Sequence, residues 1–221
     1  MAGEPTVTIW SDIHCPWATT VVHRLRGARD RIRPGLVLDP RPWPLELVND
    51  EGTPRHIVIQ ETAVLADHEP DIFGAYDDPS WPSTFLPAFE LVAAARRVGG
   101  PRGAEDVDYA LRLAFFRDGI DVSILGGLRR ALDLTRELGA ELDVAEVLRV
   151  WREEPVRADV LSDYEDSKSL PIQGSPQLFL PDGFTAHNPG LTDHEWIRGI
   201  PRIRTDDAQA LDRLLTEHSE A

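Results

Sequence analysis

This chain of 221 residues has one cysteine, one methionine and one lysine. With Cys15 alone, no intramolecular disulfide can form, and a zinc site would need three or four other ligands. The seven histidines are scattered, without the paired spacing of a metal motif, so no metal site is expected. No run approaches the roughly 20 apolar residues of a membrane helix. The start, Met1-Ala2-Gly3-Glu4-Pro5, lacks both the basic opening and the apolar stretch of a secretory signal, which makes a reducing cytoplasm the expected compartment. Excess positive charge is lacking too. Lys plus Arg number 23 against 38 Asp plus Glu, for a formal net charge of −15. That balance excludes the concentrated basic surface nucleic acid requires. The short clusters Arg24-Leu25-Arg26 and Arg129-Arg130 fall within helical patterns and read as solvated faces. No internal repeat is visible.

What is present suits one compact domain or a small domain carrying an insertion: 42% of residues are hydrophobic. Thr6 to Trp10 alternates Val7 and Ile9 with polar residues, a strand pattern that stops at Ser11-Asp12. From Pro16 the spacing of Val21, Val22 and Leu25 predicts a helix that breaks near Pro34-Gly35. Leu36-Val37-Leu38 is a second strand. The alternate prolines of Pro40, Pro42 and Pro44 place it at an edge. The opening is therefore strand, helix, strand. Residues 55–66 are expected to be helical and 67–83 to form a loop with Phe73, Tyr76 and Trp81. A helix with Phe85, Phe89, Val92 and Arg96 should end at Gly99-Gly100-Pro101, and Val107, Leu111, Ala114 and Phe115 mark another. Asp121 is a candidate cap for a helix carrying Leu125, Leu128 and Leu132. Asp143 with Glu146 forms a capping-box pattern for a helix through Trp151. Gln177 to Leu180 and Phe184 to His187 read as a hairpin around Pro181-Asp182-Gly183. Thr192 with Glu195 reads as a second capping box, opening a helix with Trp196 and Ile197, and a last helix spans about 205–217.

Cys15 stands where the first strand hands over to the first helix. The unpaired N–H groups of an opening helical turn, here from residues such as Trp17 and Ala18, favour a thiolate. Cysteines so placed fall from about 8.5 to roughly 3.5–7.5. His14 would add positive charge when protonated, and Pro16 fixes the first turn without losing a needed donor. The competing reading is a buried structural cysteine.

Trp10-Ser11-Asp12-Ile13-His14-Cys15-Pro16-Trp17-Ala18 resembles the active-site segment of DsbA-like proteins of the FrnE-like and 2-hydroxychromene-2-carboxylate isomerase group. Gly174-Ser175-Pro176-Gln177-Leu178-Phe179 resembles the family's cis-proline loop, and Ala114 to Ser123 its aromatic–Gly–Asp segment. The resemblance implies an α/β, thioredoxin-like fold with a large helical insertion: a discontinuous thioredoxin-like domain over 5–48 and 160–218, and an insertion over 55–158. It also implies Cys15 and His14 as catalytic residues, with Asp12, Pro16, Trp17, Ser175 and Pro176 binding substrate. One departure matters. Ala18 stands where the redox members carry their second cysteine, so a mixed disulfide at Cys15 has no internal thiol to resolve it.

Three functions follow. The first is a monothiol oxidoreductase resolved by a low-molecular-weight thiol, glutathione or mycothiol, acting as co-substrate on a small-molecule or protein thiol. The second is a glutathione- or mycothiol-dependent isomerase or transferase of the 2-hydroxychromene-2-carboxylate isomerase or kappa type, whose members carry serine at the nucleophile position. The third is a redox-inert thioredoxin-like binding module. No tightly bound cofactor, nucleic acid or membrane partner is expected, and a homodimer is compatible with all three. Thr19 and His187 are lesser candidates near the sulfur, and Phe73, Tyr76 and Trp81 form either an apolar lid or pins for their loop.

Overall fold

The computed structural model describes residues 4–74, 76 and 80–218; residues 1–3 and part of the 67–83 loop lie outside the described residues. Strand β1 (Thr6–Ser11) leads through helix α1 (Pro16–Ile32) to strand β2 (Val37–Pro42), which pairs parallel to β1 with Ile9 opposite Pro40. Val7 and Ile9 turn inward against Val21, Val22 and Leu25 of α1, as their alternation requires. β2 lies at the sheet edge, the place where a proline without an N–H costs nothing. Its outward carbonyl at Pro40 is not left free, because Arg96 donates to it and also pairs with Asp39.

Two short helices follow, α2 (Leu45–Val48) and α3 (Arg55–Ala66); α2 had no apolar periodicity to announce it. Helix α4 (Leu86–Phe116) contains both helices expected on either side of Gly99-Gly100-Pro101. Gly100, at φ 64° and ψ −160°, kinks the helix, and Pro101 restarts it at once because proline needs no donor in a first turn. Helices α5 (Leu125–Glu137), α6 (Val144–Glu153) and α7 (Val156–Ser167) complete the helical block. The Asp143 carboxylate caps α6, accepting from the N–H groups of Ala145 and Glu146. Asp121 does not cap α5. Its carboxylate is held in a tight local turn by the Ser123 N–H and hydroxyl, and α5 starts after Ile124.

The chain then returns to the sheet through β3 (Gln177–Phe179) and β4 (Thr185–His187), giving the order β2-β1-β3-β4 with β3 antiparallel to both neighbours. The helix expected after Thr192 is absent. Strands β5 (His194–Ile197) and β6 (Ile200–Ile203) form a separate antiparallel hairpin instead. Arg198 and Gly199 both adopt positive φ (54° and 81°), the two-residue turn whose twist matches that of paired strands, and the isoleucine-rich flanks suit strands better than a helix. Helix α8 (Ala210–His218) closes the fold, starting later than the pattern suggested, and packs its leucines beside α1 against the sheet. Among the described residues, no helix is long and apolar enough to cross a membrane.

A second core joins Ile13, Cys15, Trp17 and Ala18 to the helical block. At its centre is Arg112 of α4, fully buried. Its guanidinium binds the Asp108 carboxylate one turn back (2.8 and 3.0 Å), then reaches across to the Asp12 carbonyl (2.9 Å) and the Ser11 hydroxyl (2.8 Å). One side chain thus pins the end of β1 to the longest helix. Removing it strands a buried carboxylate, and Arg112→Met is expected to cost about 3–5 kcal/mol in urea unfolding. Replacing Asp108 as well, in Arg112→Met/Asp108→Leu, should recover part of that loss; equal stability of Arg112→Met and wild type would contradict the assignment.

Candidate active site

Cys15 is the N-cap residue of α1, in extended conformation (φ −82°, ψ 115°), with Pro16 as first helical residue. The Sγ–H donates to the Ser175 carbonyl at 3.4 Å, immediately before the cis Ser175–Pro176 peptide. That loop is tied to the cysteine segment again, since the Asp12 N–H donates to Ser175 Oγ at 2.9 Å. Behind it, the His187 Nδ1 lies 3.0 Å from the Pro176 carbonyl, and a Cβ at Gly174 would come within 2.8 Å of the His187 ring. Glycine is therefore required at 174 by close approach. His187 braces the loop and does not line the cleft.

The sulfur opens on a cleft of about 370 Å³ between the cysteine segment, α3 and the chain around α2. His14, Pro16, Trp17 and Ser175 line it, as do Trp43, Thr53 and Glu61, which the sequence did not single out. A cavity of about 430 Å³ lies on the other side of α3, walled by Phe73, Tyr76, Trp81, Phe115 and Phe116 and not lined by Cys15. There Tyr76 and Trp81 pack on Phe115 and Phe73 on Phe116, so these aromatics pin their loop to α4 rather than covering the thiol.

Two expected substrate contacts are placed elsewhere. Asp12 is fully buried. One carboxylate oxygen accepts from the His14 N–H and lies against His14 Nδ1, while the other accepts from the Leu45 N–H at 2.5 Å. It brackets the loop and α2, and has no oxygen to offer a ligand. Pro176 is buried behind Ser175 and also misses the cleft. His14 is stacked on Phe85 (centroids 4.1 Å apart) and held by Asp12, so its ring is fixed in the cleft wall. Thr19 Oγ1 is spent on the Cys15 carbonyl.

The electrostatics reverse the expectation of an activated thiolate. The Ala18 N–H, as the helix-end argument requires, and the Ser175 hydroxyl do favour the thiolate. Burial outweighs them, and the Glu61 and Asp12 carboxylates add to it, pushing the Cys15 thiol up to about 12. Glu61 sits on the inward face of α3 with Val58 and Leu65; its carboxyl is raised by burial and accepts a hydrogen bond from Trp17. Trp17 is itself fixed against the His194 ring, 4.6 Å away. The resting site holds a neutral thiol beside a carboxyl.

A proton kept to about pH 12 in the folded chain but released near 8.5 in the unfolded one stabilises the fold fully below pH 8.5. That contribution is lost as the pH climbs from 8.5 towards 12. Wild type should therefore lose stability relative to Cys15→Ala over pH 8.5–10.5, by up to about 1.4 kcal/mol per pH unit in urea unfolding. Parallel curves would contradict the raised thiol.

No protein-family model and no curated protein matches the chain. Solved structures do. The chain is similar to a putative protein disulfide isomerase from Nitrosomonas europaea, with 17% identity over 97% of both chains and a TM-score of 0.67. It is similar to a probable DsbA oxidoreductase from Streptomyces coelicolor, with 21% identity over 96% of this chain and 89% of that one and a TM-score of 0.62. A 2-hydroxychromene-2-carboxylate isomerase aligns at 13% identity over 82% of this chain and 87% of that one, with a TM-score of 0.58. Likeness at these identities speaks for architecture, and together with the sheet order and the helical block it gives the chain the DsbA-like thioredoxin fold.

Proposed function

We propose that this protein is a monothiol exchange enzyme in which Cys15 attacks a small disulfide substrate to form a mixed disulfide, resolved by an external low-molecular-weight thiol. The observation that carries this reading is the position of the Cys15 sulfur. It stands at the N-cap position of a helix, faces a cleft, and touches the carbonyl of the residue before a cis-proline. The Ser175 carbonyl and N–H belong to a loop with an extended strand behind it, suited to lay a substrate backbone or amide along the sulfur. The similarity to a putative protein disulfide isomerase and a probable DsbA oxidoreductase supports the same chemistry.

The exchange balances without a second cysteine. Cys15 as thiolate attacks one sulfur of a disulfide R–S–S–R′, forming Cys15–S–S–R and expelling R′S⁻, which takes up the proton that Cys15 released. A second thiol, glutathione or mycothiol, then attacks the R sulfur of the mixed disulfide, leaves as its own disulfide with R, and passes its proton to the Cys15 sulfur, restoring the thiol. A reducing compartment such as the cytoplasm supplies that thiol.

The raised thiol makes the enzyme slow at rest. At neutral pH the raised thiol carries far less thiolate than a free cysteine, and the greater nucleophilicity of a more basic sulfur offsets only about half of that loss on a logarithmic scale. Population wins, so turnover depends on a ligand that relieves the burial or the neighbouring charge. The same observation favours a second reading. A thiol that keeps its proton is a hydrogen-bond donor, the role a serine hydroxyl would play towards a bound glutathione or mycothiol thiolate in an isomerase or transferase.

The two readings separate on Cys15→Ser. Folded wild type treated with 2-hydroxyethyl disulfide should gain one adduct at Cys15 by intact-mass spectrometry, released by glutathione, and Cys15→Ser should gain none and lose all exchange activity. An adduct that forms only in urea would overturn the exchange reading in favour of a binding module. Turnover of a glutathione-dependent isomerisation that survives Cys15→Ser would favour the second reading.

A further inference from the structure

The cleft beside Cys15 carries charge of one sign. Glu51 and Glu61 line it, and among the described residues no lysine or arginine does. Glu51 is exposed at the rim, whereas Glu61 is half-buried on α3. Among the described residues Glu61 forms no ion pair. Its one hydrogen bond comes from the Trp17 indole, and the charge that acts on it is the His14 imidazole, already engaged by Asp12. A carboxylate with one donor leaves lone pairs open, and here they border the cleft. A second group points the same way. The Thr53 hydroxyl lines this cleft, is shielded from solvent, and makes no hydrogen bond. An open carboxylate and an unpaired hydroxyl beside one thiol describe a pocket missing a donor-rich ligand. A carboxylate-bearing ligand would meet Glu61 with like charge in a confined, low-dielectric space.

We infer that the Cys15 cleft selects aminothiols and their disulfides, small molecules with a protonated amine a few bonds from sulfur, and that Glu61 is the residue that selects them. The inference rests on the exchange reading above. When the ammonium pairs with Glu61, the ligand sulfur is brought to the Cys15–Ser175 end of the cleft, and the carboxylate's repulsion of a developing Cys15 thiolate is cancelled. The ligand thus supplies the charge the resting site lacks. The atoms balance as for any exchange: Cys15–S–S–R forms, R–S–S–R breaks, and the departing R–S⁻ takes the proton that Cys15 gives up.

The test compares three disulfides of similar size, cystamine as dication, 2-hydroxyethyl disulfide as neutral reagent and dithiodiglycolate as dianion. Second-order rate constants for the adduct at Cys15 are measured on the folded chain, each divided by its value for the urea-unfolded chain to remove intrinsic reactivity. Cystamine should exceed the neutral reagent by about tenfold or more, and the dianion should be slower still. Glu61→Gln, checked by circular dichroism, should bring the three within about threefold, and Glu51→Gln should change the ratios less. In wild type the cystamine advantage should shrink as salt is added, which requires no variant to fold. Equal normalised rates in wild type, or a preference for cystamine that Glu61→Gln leaves intact, would overturn the selectivity while leaving thiol exchange standing. Failure of the neutral reagent to react at all with the folded chain would instead overturn the exchange reading, and the inference with it.

Discussion

The fold depends on one buried guanidinium. Arg112 is fully buried and finds its partners inside: a carboxylate on its own helix, a hydroxyl and a carbonyl at the end of β1, and the Thr19 hydroxyl on α1. Burying such a pair is costly, and the cost is tolerable because every donor direction is used by a partner that is itself fixed. The consequence is positional. Ser11 and Asp12 cannot move relative to α4, Asp12 in turn holds His14 and the start of α2, and Ser175 is hung from the Asp12 N–H. The cysteine segment, the cis-proline loop and the helical block therefore meet at fixed separations around a single sulfur.

At the sulfur, two opposing effects have been placed side by side. The helix end and the Ser175 hydroxyl stabilise negative charge; burial and Glu61 oppose it and win. A thiol kept neutral is protected from indiscriminate oxidation, since the thiolate is the reacting form. The absence of a resolving cysteine fits this arrangement, because Ala18 is fully buried and its N–H, not a second thiol, faces the sulfur. In the exchange proposed for this site, positive charge and a second thiol come from outside.

Much of this was legible in the residues. The strand ending at Ser11, the helix opening at Pro16 and the proline-marked edge of β2 each carry local chemistry that admits few conformations, and each stands where that chemistry puts it, whereas the cis-proline loop at Gly174-Ser175-Pro176 was expected from the family resemblance alone. The 194–203 hairpin did not read correctly because Thr192-Asp193-His194-Glu195 satisfies a helix cap in isolation, while the decisive turn, Arg198-Gly199, lies further along and needs a partner strand. Arg112 and Glu61 carried a signal that went unread: each is a charge set within the apolar stripe of its helix, Arg112 beside Leu111 and Phe115, Glu61 between Val58 and Leu65. The helix-end rule for Cys15 failed on magnitude rather than sign. Its donors are present, and the opposing carboxylate comes from α3, more than forty residues away in the chain, which no local pattern reports.

The measurement that tests this account most directly is the pH dependence of Cys15 alkylation by iodoacetamide, in wild type and Glu61→Gln, on the folded chain. The account predicts a rate that keeps rising well above pH 8.5 without reaching its plateau in wild type, and a curve shifted to lower pH in the variant. An inflection at or below 8.5 in wild type, unmoved by Glu61→Gln, would show a thiol activated by the helix end alone and contradict the neutral-thiol site.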